Sequence, residues 1–129
     1  MLVIVGVGIT EGVEAPTVKS ITTQDLFVAQ KNGRNLTLSD IGGSKSMTPT
    51  FDKGHKLILQ YPILSEDELG VGDIIIFENG GGVPIVHRIV EIGEDEGGWY
   101  CITKGDNNLL KDPKVRFHQI KYLVVGVLY

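Results

Sequence analysis

An all-β, antiparallel fold that closes part of the way into a barrel is what this sequence predicts, on three observations. The apolar segments are short and rich in Val and Ile. Gly, Asp, Asn and Pro punctuate them closely, glycine alone supplying 17 of the 129 residues, which is the pattern of strands separated by turns. Helix signals are scarce.

Taken in order, the first strand is expected over Leu2–Gly8. Met1 to Ile9 is about half of the roughly 18 residues that a spanning helix needs, and it lacks the basic flank and small-residue cleavage site of a secretory signal. Thr10–Thr17, with Pro16, reads as a loop. A dinucleotide site at Gly6, Gly8 and Gly12 is disfavoured, because the third glycine comes one residue late and Pro16 interrupts the helix whose N-terminus the phosphate requires.

Further strands are expected over Asp25–Gln30, Asn35–Leu38 and Lys56–Tyr61, followed by one short helical turn near Ser65–Leu69. Asp73–Glu78, Pro84–Ile92 and Trp99–Lys104 follow as strands, joined antiparallel through Gly-rich gaps at Asn79–Val83 and Gly93–Gly98. Lys121–Tyr129 is the last strand.

A length of 129 residues with 42 % hydrophobic and 22 % charged content argues for a single globular domain over residues 1–129. The net charge of −4, with no block of Lys or Arg, excludes nucleic acid as a partner, since phosphate binding depends on clustered positive charge. Cys101 is the single cysteine and reads as a buried small hydrophobe in a strand-like run. His55 and His118 have no neighbours at ligand spacing, so no metal site is expected, and no cofactor. Glu94-Asp95-Glu96 reads as a solvated hairpin tip.

The chemistry concentrates in three segments: Gly43-Ser44-Lys45-Ser46-Met47-Thr48-Pro49-Thr50, Val86-His87-Arg88-Ile89-Val90, and Lys104-Gly105-Asp106-Asn107-Asn108 followed by Asp112. They supply a serine in a turn-rich stretch, a histidine in an apolar run and two aspartates in a loop. A serine hydroxyl is a poor nucleophile at neutral pH and must pass its proton to a base as it attacks. An imidazole, ordinarily titrating near 6.5, is such a base when a carboxylate on its far nitrogen fixes the tautomer. Asp112 or Asp106 would be that carboxylate. The bland readings are a half-buried strand histidine and a plain Gly-Asp-Asn turn.

In that order the four blocks Ser-x-Ser-Met-x-Pro-Thr, Gly-Asp-Ile-Ile-Ile-Phe, His-Arg-Ile-Val and Lys-Gly-Asp-Asn-Asn resemble the type I signal peptidases. The resemblance is to the archaeal and endoplasmic-reticulum branch, where histidine replaces the bacterial lysine. It covers residues 41–127, a peptidase-like core, and leaves residues 1–40 unmatched, where a membrane-anchoring helix would be expected and none is seen.

The resemblance implies Ser46 as nucleophile, His87 as general base, Asp112 as the acid that orients it, Asp106 as a second acidic position, and the Ser44 hydroxyl with Ser46 at the oxyanion. Substrate, a peptide or protein, would lie extended beside Ile85 and Val86. The resemblance also implies a serine endopeptidase that cuts after small residues, the shared β-core of the self-cleaving repressors and the extracytoplasmic side of a membrane; because the sequence reads without a spanning segment, membrane association is expected only through partners. Two rivals are a self-cleaving repressor-like domain, which uses a lysine base and an Ala-Gly or Cys-Gly bond absent here, and a non-catalytic β module for binding or assembly.

Overall fold

A computed structural model describes residues 2–5, 18–20 and 33–129. Nine antiparallel strands make one sheet: β1 (Leu2–Val5), β2 (Val18–Ser20), β3 (Asn35–Asp40), β4 (Lys56–Tyr61), β5 (Ile74–Glu78), β6 (Pro84–Asp95), β7 (Gly98–Lys104), β8 (Val115–Arg116) and β9 (Ile120–Leu128). Their order is β2-β1-β9-β5-β6-β7-β8, with β4 also on β9 and β3 on β4. The all-β, antiparallel expectation holds, and the sheet is not closed: among the described residues no pairing joins β2, β3 or β8 to a further strand.

Strand by strand the expected order is present where it can be compared. The expected strand at Asp25–Gln30 lies outside the described residues. β2 and β8 are additions, three and two residues long, too short to show an alternation. The expected turn near Ser65 is a 3-10 turn over Glu66–Glu68. Ser65 accepts from the Asp67 amide and Glu68 reaches back to the Ser65 amide, a capping box that satisfies the exposed donors.

The run Ile74-Ile75-Ile76-Phe77 is apolar throughout because β5 is central and covered on both faces. Ile75 and Phe77 join Ile58, Ile89, Cys101, Leu123 and Val125 in one core, while Ile74 packs with Met47, Phe51, Leu57, Leu59, Val124 and Val127 in the other. Adjacent residues part to opposite faces because a strand has period two. A register shift between β4 and β9 leaves Val125 without a partner of its own on β4, so Val125 faces one core while Val124 and Val127 face the other. Two residues of the second core, Met47 and Phe51, come from the loop between β3 and β4. Burying each is worth about 1.5–3 kcal/mol, which fastens that loop to the sheet.

Candidate active site

Three loops or strands converge at the end of the two cores. Ser46 sits in the β3–β4 loop just before Met47, so the buried Met47 side chain, 2 % exposed, holds the backbone of its neighbour in place. Lys45, between the two serines, has φ +63°, a left-handed conformation that costs a non-glycine residue about 1–2 kcal/mol. Its carbonyl accepts from the Thr48 amide (3.2 Å), the Thr48 hydroxyl (2.9 Å) and the Asn107 side-chain amide (3.2 Å), three bonds that hold the kink. The kink brings the Ser44 and Ser46 hydroxyls to 3.2 Å.

His87 lies on β6, on the face shared with Ile89 and opposite Ile75 across β5. It is 7 % exposed. Its Nε2 is 3.1 Å from the Ser46 hydroxyl and its Nδ1 is 2.5 Å from Asp112 Oδ2. A carboxylate only accepts, so Nδ1 carries the proton and donates it, leaving Nε2 to accept from Ser46. Asp112 is returned to the site by its own amide, which donates to the Thr103 carbonyl on β7 at 2.8 Å. The Thr103 hydroxyl donates to Asp112 Oδ2 at 2.7 Å.

Asp106 is directed elsewhere. Both its oxygens accept from Arg88, at 2.8 and 2.7 Å, and Oδ2 also accepts from the Thr50 hydroxyl at 2.5 Å. Burial pushes the Asp106 carboxyl up, but the Arg88 and Thr50 hydrogen bonds outweigh it and hold the group below its usual range. Arg88 also donates to the Gly72 carbonyl at 2.9 Å. Asp106 thereby ties the strand of His87 to the loop of Ser46. Asn107 adds its backbone amide to the Ser46 carbonyl at 2.8 Å.

The backbones approach so closely here that Gly105 has no room for a side chain: a Cβ would stand 2.7 Å from the Ser46 carbonyl oxygen.

Each sequence-predicted residue therefore has a definite place. Ser44, Ser46, His87 and Asp112 form one hydrogen-bonded chain, Asp106 stands beside it on Arg88, and Ile85 and Val86 line the cleft. That cleft has a volume of about 540 Å³ and runs from Ile41–Met47 across to Pro84–His87, with Phe51 at its wall.

Thr50, Arg88 and Thr103 escaped the sequence reading. Arg88 carries a signal in retrospect, since a cation in an apolar strand run must find a partner. Thr103 carries less, because a threonine in a strand is ordinary. Among the described residues no group of three or more His, Cys, Asp or Glu is placed to hold a metal ion.

The chain is 35 % identical to the signal peptidase complex catalytic subunit sec11 of Schizosaccharomyces pombe, over 62 % of this chain and 51 % of that protein. The corresponding subunit of Dictyostelium discoideum is 45 % identical, over 54 % of this chain and 38 % of that protein. This chain is a homologue of signal peptidase catalytic subunits. The human signal peptidase complex catalytic subunit SEC11C is 41 % identical, over 54 % of this chain and 36 % of its own length. The chain thus spans about half the length or less of the curated signal peptidase subunits it matches. No family model matches it. Among the described residues no helix is long and apolar enough to cross a membrane.

Proposed function

We propose that this protein is a serine endopeptidase of the signal peptidase type, with Ser46 as nucleophile, His87 as general base and Asp112 orienting the base. The observation that carries this reading is the unbroken relay from the Ser46 hydroxyl at 3.1 Å to His87 Nε2 and from Nδ1 at 2.5 Å to Asp112. The signal peptidase subunits among its relatives support the same class.

As Ser46 Oγ attacks a substrate carbonyl carbon, its proton passes to His87 Nε2, and the imidazolium so formed is stabilised by Asp112 through Nδ1. His87 then returns that proton to the leaving amine, and water repeats the sequence on the acyl-enzyme. The Ser44 hydroxyl, which donates to Ser46 Oγ at rest, and the Ser46 amide would both turn to the developing oxyanion.

Substrate geometry follows from the sheet. Over Pro84–His87, β6 pairs only with β5, and its pairing with β7 begins at Arg88, so the other edge of the segment before His87 is open to the cleft. An extended peptide would add there as a strand, with its side chains meeting Ile41, Met47, Phe51 and Val86. That lining suits small apolar residues before the cut. The relatives' names place them in a complex, and we extend to this chain the expectation of protein partners alongside its peptide substrate.

The test is the pH dependence of cleavage of a peptide with alanine before the scissile bond. Protonation at Nε2 leaves no acceptor for the Ser46 proton, so turnover falls as the solution is acidified. Turnover that stays flat down to about pH 5, through the range in which imidazoles titrate, would rule out His87 as the base.

A further inference from the structure

Thr103 on β7 is completely buried, and its hydroxyl meets the same carboxylate oxygen that His87 uses. Asp112 Oδ2 accepts from His87 Nδ1 at 2.5 Å and from Thr103 Oγ1 at 2.7 Å. The Thr103 carbonyl accepts the Asp112 amide at 2.8 Å, so one residue grips Asp112 by main chain and side chain together. We infer that Thr103 is a positioning residue for catalysis, fixing the Asp112 carboxylate in the plane and at the distance that His87 needs. The inference rests on the Ser46–His87–Asp112 reading above.

Three features make the grip directional. Threonine is branched at Cβ and stiff about χ1, and at 0 % exposure it has no water to exchange for Asp112. It lies on the core face of β7, paired with Ile89 of β6, two residues from His87 and on the same face. Asp112, by contrast, comes from the loop after β7 and is only partly covered, its side chain 23 % exposed. Without the hydroxyl, that carboxylate keeps its backbone anchor but is free to rotate about its side-chain torsions. The other charged groups nearby are already spent or lie across the cleft: Arg88 is paired with Asp106, and Lys45 and Asp52 line the cleft from the Ser46 loop.

The role predicts an ordering of substitutions that packing alone would reverse. Thr103→Val keeps the shape and removes the hydroxyl, whereas Thr103→Ser keeps the hydroxyl and removes a buried methyl. Steady-state cleavage of an alanine-site peptide by the full chain, with thermal midpoints measured in parallel, separates the two. In the valine variant kcat should fall roughly 10- to 100-fold, the kinetic equivalent of one hydrogen bond to a charged group, with KM little changed. The serine variant should keep nearly wild-type kcat even if its midpoint drops.

Should the valine variant fail to fold, Thr103→Ala against Thr103→Ser gives the same contrast, because only the serine retains the hydroxyl. A valine variant with wild-type kcat, or a serine variant as impaired as the valine or alanine one, would overturn the role. Ser46→Ala is run beside them: if that variant still cleaves, the fault lies in the site reading, whereas a dead Ser46→Ala with a fully active Thr103→Val counts against Thr103 alone.

Discussion

Arg88 and Asp106 are joined through both carboxylate oxygens, and this pair, next to His87 in the chain, holds the Ser46 loop against β6. Of the two aspartates, it is Asp112 that reaches the imidazole. The two aspartates should therefore fail differently. Asp112→Asn is expected to leave the thermal midpoint nearly unchanged and to cut kcat by up to about 10⁴-fold, the size of that exchange in a Ser-His-Asp peptidase. Asp106→Asn leaves a largely buried Arg88 short of its counter-charge, a change that costs about 3–5 kcal/mol when a buried pair is broken outright, so its chief effect is a lowered midpoint. Thermal melts and initial rates on the two variants check both, and a reversed pattern would exchange their roles.

Gly105 should tolerate no side chain. A methyl group there would meet the Ser46 carbonyl oxygen at 2.7 Å and the Asn108 side-chain nitrogen at 2.6 Å. Asn108 can swing away, but the backbone carbonyl can move only by shifting Ser46. Gly105→Ala is expected to lower stability by about 1–3 kcal/mol, as overpacking does, and to reduce kcat more than an equally destabilising change far from the site. Chemical denaturation together with initial rates would show it, and a variant with wild-type kcat would refute the coupling.

Asp73 and Asp106 flank Arg88 and give stability opposite pH dependences. Burial pushes the Asp73 carboxyl up to about 6, against the Gly70 amide and Arg88, which both pull it down. A carboxyl raised in the folded state contributes stability that is complete below its unfolded value and is lost as pH rises through the folded one. For Asp73 that window runs from 3.8 to about 6, and at about 1.4 kcal/mol per unit the change is on the order of 2–3 kcal/mol. Asp106, held low, contributes stability above its unfolded value that is lost on acidification. Asp73→Asn, which keeps an acceptor for the Gly70 amide, should thus gain on the wild type between about pH 4 and pH 6 and hold a constant margin above. Midpoints that run parallel across that range would contradict it.

What the sequence made legible and what it hid have physical reasons. The apolar run Ile74–Phe77 is a local pattern and is present as β5. The β6–β7 hairpin is present too, but its turn is tighter than the expected Gly93–Gly98 gap because β6 continues through Asp95 and pairs with β7 up to Gly98. Ser46, His87 and Asp112 stood out through the wording around them, and the fold brings them together. Residue types by themselves left Asp106 and Asp112 open, and only the resemblance favoured Asp112, because the geometry turns on a return of the chain after β7, made by the Asp112 amide on the Thr103 carbonyl. Arg88 was hidden because its partners, Asp106 and Gly72, lie 18 and 16 residues away. The short β2 and β8 have too few residues for a period to show. Strand patterns fix which faces are apolar, not whether the last edges meet, so the open edges of the sheet are seen only in the structure.

The decisive measurement is the rate at which Ser46→Ala cleaves an alanine-site peptide, beside wild type and Ser44→Ala. Ser46 holds the hydroxyl on His87 Nε2, whereas Ser44 donates to Ser46 and itself lines the cleft, where it can serve as an oxyanion donor. The expected result is no cleavage above background for Ser46→Ala with an unchanged melt. Ser44→Ala should be slower by about 10²–10³-fold, the cost of one oxyanion donor. A Ser46→Ala protein that cleaves at the wild-type rate would contradict the account.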